Sequence, residues 1–174
     1  VQLFVASHAC QSPQVWYMPR EFYMFLREQP ERWQERYPFL AELLWFEWVE
    51  IELFMMEDQP LPAVATRPDT EVRYRLNPEH RLLLLEYPVH RQLAKDITET
   101  NRGRYVVLAH RDRSGEVLFT EISLPTAWMM EKIAEADHSL NELLALWEVE
   151  WQQPVPPEEQ NMLFEFVQES LACD

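Results

Sequence analysis

The chain has 174 residues, 47 % of them hydrophobic, and its 30 acidic against 15 basic residues give a formal charge of −15. That length and apolar content allow a packed core and exclude a disordered chain. The charge repels phosphate backbones at long range and argues against non-specific nucleic-acid binding. Gly103 and Gly115 are the only two glycines, so no GxGxxG loop, Walker-type phosphate loop or GxSxG elbow exists here. Cys10 and Cys173 lie near opposite ends and form neither a CxxC pattern nor a disulfide framework, so a reducing, cytoplasmic compartment is expected. No stretch reads as a signal peptide or a membrane span.

In chain order, VQLFVASHAC reads as the final turns of a helix whose beginning precedes Val1, stopped by Pro13. Pro19-Arg20-Glu21 opens a second helix with Phe22, Phe25 and Leu26 at i, i+3, i+4 spacing. Pro30 begins a polar turn. A long helix then runs from Pro38 to about Glu57, through PFLAELLWFEWVEIELFMM. At 100° per residue, Leu40, Leu43, Leu44, Ile51, Phe54 and Met55 fill one side, with Trp45, Val49, Leu53 and Met56 behind. A helix apolar nearly all round is buried among neighbours. Glu42, Glu47, Glu50 and Glu52 exclude a bilayer span. Glu47 projects into the larger apolar arc, where a carboxylate must be protonated, paired or facing a partner protein. An arginine partner is expected.

From Asp58 the composition changes to DQPLPAVATRPD, a linker without helical period. Strands are predicted over Glu71 to Leu76 and over Arg81 to Tyr87, whose run of four leucines suits a strand buried on both faces or a short buried helix turn. Residues 92–103 read as a polar loop. Arg104 to His110 and Glu116 to Ile122 are the clearest strands, joined by Arg111-Asp112-Arg113-Ser114-Gly115 as a hairpin, with Gly115 available for positive φ. Three helices follow. Ser123 caps the first, with Pro125 in its opening turn. Ser139 and Glu142 form a capping box for the second. Pro156-Pro157 opens the third, where Met162, Leu163, Phe166, Val167 and Leu171 recur at helical spacing. The expected fold is α+β: a helical module over 1–58, a proline-rich linker over 59–70, and a winged-helix-like module over 71–174 with a small antiparallel sheet and three helices.

No nucleophile–base constellation can be assembled, and His8, His80, His90, His110 and His138 lack metal-ligand spacing. No catalytic residue, cofactor or metal is therefore expected, and the chain reads as a non-enzyme. Tyr87-Pro88-Val89-His90-Arg91 places an aromatic, an imidazole and a guanidinium after a buried strand. It reads either as a structural corner, Arg91 or His90 pairing Glu47 or Glu50 across the junction of the modules, or as a contact surface for a protein partner. A sheet edge beside a helix can also take an extended peptide as an added strand. The candidates are Val117, Phe119, Thr120 and Glu121 on the strand, with Leu163, Phe166 and Val167 on the last helix; the bland alternative is that these residues pack together. Ser139 to Trp151 and Glu158 to Leu171 contain no Lys or Arg, which argues against a DNA-recognition helix in either.

Several segments, in order, resemble the HvfC-like family, the partner proteins of multinuclear iron oxidases that mature ribosomally made peptides. These are His8-Ala9-Cys10-Gln11-Ser12-Pro13, Pro19-Arg20-Glu21-Phe22 with Phe25-Leu26, Pro38-Phe39-Leu40-Ala41-Glu42-Leu43, and Phe46-Glu47-Trp48-Val49-Glu50. Tyr87-Pro88-Val89-His90-Arg91 follows, then the Tyr105-to-Ile122 hairpin running into Pro125-Thr126-Ala127. The resemblance implies a truncated helical module and a module like the winged-helix peptide-recognition domains. It implies a non-catalytic adaptor that binds a precursor peptide and presents it to a multinuclear iron oxidase partner. The family also carries a DNA-binding label, attached to helices that would precede Val1. A DNA-binding regulator is therefore the alternative function, with DNA possible but not favoured as a partner.

Overall fold

A computed structural model describes residues 2–7, 12, 14–60 and 70–172. It is α+β, with helices α1 (Gln2–Ser7), α2 (Met18–Arg27) and α3 (Leu40–Phe54) preceding the first strand. Strands β1 (Arg73–Tyr74), β2 (His80–Leu85), β3 (Tyr105–Arg111) and β4 (Val117–Ile122) follow. Helix α4 (Leu124–Glu135), strand β5 (His138–Ser139) and helices α5 (Leu140–Trp151) and α6 (Pro157–Ala172) complete the chain. His8, Cys10, most of the proline-rich linker and Cys173 lie outside the described residues.

Among the described residues two sheets form, both antiparallel. β2, β3 and β4 make a three-stranded sheet in that order, with Leu82 opposite Leu108 and Leu108 opposite Thr120. The expected strand over 71–76 shrinks to β1, which pairs with β5 instead of extending that sheet. The leucine run of β2 is buried on one face only: Leu83 and Leu85 are buried, whereas Leu84 on the other face is 67 % exposed. The strand with both faces buried is β3, where Val106, Val107, Leu108 and Ala109 are all buried.

The core of the sheet is completed by α3. Val49 and Leu53, together with Phe39, pack with Leu83, Leu85, Tyr87, Val107 and Ala109 in one cluster, and Phe46, Phe119 and Val117 adjoin it. A second cluster joins Met129, Leu140, Leu143, Trp147, Val155 and Leu163 from the last three helices and their connections. The helix that covers the sheet's inner face thus precedes the linker rather than following it. Apolar burial on this scale supplies most of the fold's stability, at about 25 cal/mol per Å².

Local signals act as the sequence predicts at three places. The Ser123 hydroxyl accepts from the Thr126 amide at the start of α4. Ser139 and Glu142 form the complete capping box at α5. Gly115 sits at φ +88° in the β3–β4 hairpin, where Asp112 Oδ1 accepts from the amides of Ser114 and Glu116. A Cβ at Gly115 would meet nothing within 4 Å, so only backbone strain opposes a substitution. Gly115→Ala is expected to cost about 1–2 kcal/mol, read as a shift in the urea midpoint.

Candidate functional site

The chain's distinctive surface forms where β4 and α3 lie side by side. Three contacts fix the direction of α3 across the sheet. At its N-terminal end, the Glu42 carboxylate accepts from the amides of Glu86 and Tyr87 at 2.9 Å. In the middle, Phe46 and Phe119 have ring centroids 4.5 Å apart. At the C-terminal end, the Phe54 carbonyl accepts from Arg111 at 3.4 Å. The helix therefore runs antiparallel to β4. From Glu42 to Phe54 it advances about 18 Å, close to the length of a six-residue strand.

Phe46 marks the β4 flank of the helix, while Glu52, paired with Arg81, and Trp45, lining a cleft with Leu84 and Leu85, mark the β2 flank. Rotating 100° per residue from Phe46 carries Glu50 to the β4 flank, whereas Phe54 and Glu47 fall about 120° and 140° round from the buried Val49 and Leu53 and turn away from the sheet. All three are exposed, Phe54 by 63 %. Glu47 and Glu50 make no ion pair among the described residues.

The hairpin's closing bonds set which main-chain groups of β4 are free. The Asp112 amide donates to the Glu116 carbonyl at 2.9 Å, and the Gly115 amide to the Asp112 carbonyl at 3.1 Å. Antiparallel pairs alternate between bonded and non-bonded. The bonded pairs of the printed register are then His110–Leu118, Leu108–Thr120 and Val106–Ile122. Val117, Phe119 and Glu121 turn their N–H and C=O groups outward, to an edge no described strand covers. On the other side of β3, the Arg111 amide donates to the Glu79 carbonyl, which requires the same phase.

The Tyr87–Arg91 corner closes one end of this edge. Its expected pairing with Glu47 or Glu50 is not found. His90 Nε2 lies 2.8 Å from a Glu121 carboxylate oxygen, and Arg91 donates to the same oxygen at 2.7 Å. The Arg91 guanidinium also stands 4.9 Å from the centroid of the Tyr105 ring. The physical reason is rotational: Glu47 lies about 100° round the helix from Phe46 and points away from the corner, whereas Glu121 extends from β4 directly beside it. The helical carboxylate that does reach the corner is Glu42, and it meets backbone amides. Burial raises the Glu42 pKa above the usual carboxylate range, against the opposing pull of those amides.

Tyr87 is buried and donates to Glu99 at 2.6 Å. Burial first, and the Glu99 carboxylate second, push its hydroxyl up to about 12. A folded pKa above the unfolded value of about 10 gives stability that is complete below pH 10 and lost as pH rises towards 12. Tyr87→Phe should remove that alkaline slope, measured by denaturant titrations across this range.

Of the three helix residues expected in the peptide cleft, only the side chain of Leu163 is among those described. Leu163 is 5 % exposed and packs within the α4–α6 cluster. The side chains of Phe166 and Val167 lie outside the described residues. Thr120 sits on β4 but turns its main chain to Leu108, not to the open edge.

A protein-family model described as the HvfC C-terminal domain matches residues 77–171. The chain belongs to the HvfC family. Among curated proteins no match to the chain is found. The HvfC domain thus begins just before β2 and includes the sheet and the last three helices, and α3, which completes the sheet's core, precedes its boundary.

Within the HvfC domain lies a buried ion pair that the sequence did not mark. Arg111, the last residue of β3, donates to Glu79 at 2.7 Å, and their side chains are only 8 % and 4 % exposed. Arg111 also reaches Asp58 at 2.8 Å, just beyond α3, and the Gln59 amide donates to Glu79 at 2.6 Å. The pair therefore latches the end of α3 and the start of the linker onto β2 and β3. Arg111 holds the Glu79 carboxyl below the usual range, outweighing burial. The sequence signal was hidden because Arg111 sits in RDRSG, which reads as a solvated turn.

Among the described residues no group of three or more His, Cys, Asp or Glu is placed to hold a metal ion. No described helix is long and apolar enough to cross a membrane.

Proposed function

We propose that the chain is a non-catalytic, cytoplasmic adaptor that binds a ribosomally made precursor peptide and presents it to a partner iron-dependent oxidase. The open edge of β4, with Val117, Phe119 and Glu121 turning their main-chain groups outward beside α3, is the observation that carries this reading. A peptide added there gains main-chain hydrogen bonds, and its alternate side chains fall against the α3 flank. Residues 1–58 act as the helical module and 71–174 as the peptide-recognition module. The Tyr87–Arg91 corner and, separately, Glu47 and Glu50 on the exposed side of α3 serve as contact surfaces for partners.

Calorimetry of the intact protein with the precursor and the oxidase encoded beside its gene tests the proposal. Saturable binding to both is expected, with peptide affinity lost in Val117→Pro, which removes an outward donor without breaking the ladder to β3. Binding to neither, with steeply salt-dependent binding to duplex DNA, would replace the adaptor by the regulator.

A further inference from the structure

The sheet has two outer strands, β2 and β4, and α3 treats them differently. The bond from the Arg111 amide to the Glu79 carbonyl makes Leu83–Val107 and Leu85–Tyr105 bonded pairs of the β2–β3 ladder. His80, Leu82, Leu84 and the Glu86 amide therefore turn away from β3. Side chains tied to α3 close both ends of this row. The Arg81 guanidinium donates to the His80 carbonyl at 2.8 Å and is held by the Glu52 carboxylate through bonds of 3.2 Å. At the other end the Glu86 amide donates to the two Glu42 oxygens at 2.9 and 3.0 Å, and the Tyr87 amide donates there at 2.9 Å. On β4 no side chain among the described residues caps the outward groups of Val117, Phe119 or Glu121.

We infer that Glu42 and the Glu52–Arg81 pair decide which edge of the sheet a further strand can join, closing β2 and leaving β4 open. The inference goes beyond the peptide reading of β4 and stands whether or not a peptide binds there. A strand adds to a sheet through a continuous row of main-chain groups. On β2 it would have to displace a carboxylate that accepts from two amides and a guanidinium held by a second carboxylate. Such bonds to charged groups are stronger than the neutral main-chain bonds that would replace them. Between the caps only Leu82 and Leu84 present both outward groups, a row shorter than an ordinary strand. Closure matters at this edge. Leu84 is 67 % exposed, and an uncapped edge carrying such a leucine invites pairing between chains. Glu42 and Glu52 are about 15 Å apart along α3, against about 20 Å of strand between His80 and Glu86. The long Arg81 and glutamate stems cover the difference, so one helix reaches both ends of β2.

Glu42→Ala/Arg81→Met removes both caps at unchanged net charge, and the whole chain itself serves as the probe strand. Sedimentation velocity is run in high salt, which screens the repulsion between chains of formal charge −15. The variant should self-associate at least about tenfold more tightly than the native chain. The amides of Leu82, Leu84 and Glu86 should gain protection from hydrogen exchange as its concentration rises. Leu82→Pro in that background removes an outward donor without breaking the ladder to β3, and should restore the native behaviour. If the double variant does not fold by circular dichroism, Arg81→Met alone replaces a side chain that is 36 % exposed. It opens the His80 end and should give the same new protection at Leu82. A folded variant that stays as monomeric as the native chain would overturn the inference, since Glu42 and Arg81 would then only anchor α3. Association with new protection along β4 and none at Leu82 or Leu84 would overturn it too. So would a native chain whose own copies already pair through Leu82 and Leu84.

Discussion

Arg111→Met is expected to lower stability by about 3–5 kcal/mol, because it strands Glu79 as a buried carboxylate without its counter-charge. The Glu79 side chain is 4 % exposed and would keep only the Gln59 amide as a close donor. The loss should be visible as a lower urea midpoint. Glu79→Met/Arg111→Met should recover much of it, since apolar groups of similar size leave no charge to desolvate.

The acid limb separates this explanation from simple loss of packing. In the native protein the Glu79 pKa lies below the ordinary carboxylate value, so the pair's stability is present above about pH 4.3 and is lost as pH falls through the depressed folded value. In Arg111→Met, burial acts on Glu79 against only the weaker pull of the Gln59 amide and raises its pKa. The sign then reverses, and the variant gains stability relative to the native protein as pH falls through that raised value. A variant that tracks the native acid profile would contradict the latch.

Leu53→Ala is the second large effect, expected at about 2–5 kcal/mol. Leu53 is fully buried and packs in the same cluster as Leu83, Leu85 and Val107. The residue belongs to a helix that precedes the HvfC domain boundary, yet its neighbours lie inside that domain. The destabilisation should therefore reach the sheet: far-UV circular dichroism and the fluorescence of Trp45 and Trp48 should lose structure at the same, lower denaturant concentration. Two separated transitions, with the sheet's midpoint unmoved, would show that α3 does not stabilise it.

The sequence was most legible where a local rule has one outcome. Ser123, the Ser139–Glu142 box and Gly115 each answer to short-range geometry, and each adopts the expected role. It was least legible where the answer depends on which neighbour a face meets. On α3 the larger apolar arc, with Leu44, Ile51 and Phe54, outnumbers the smaller one, but the smaller, with Val49 and Leu53, faces the sheet. An all-round apolar helix carries no rotational signal, so its faces could be counted but not assigned. The misplacement of Glu47 follows from that. Within the larger arc it would need an arginine only if that arc faced the core; the arc turns from the sheet, Glu47 is exposed, and the half-buried carboxylate is Glu42. The corner residues His90 and Arg91 do meet a carboxylate, but it comes from β4, through a pairing between residues thirty positions apart that no local pattern encodes. Leu84 misled for a similar reason, since four consecutive leucines cannot reveal that one face of their strand is open to solvent.

Main-chain hydrogen exchange, resolved residue by residue by nuclear magnetic resonance, tests the central claim most directly. With the precursor peptide bound, the amides of Val117, Phe119 and Glu121 should become strongly protected, while those of Leu118, Thr120 and Ile122, already bonded to β3, should change little. Protection that leaves these three outward amides untouched, or that appears instead along β2, would contradict the claim that the peptide is received by the open edge of β4 beside α3.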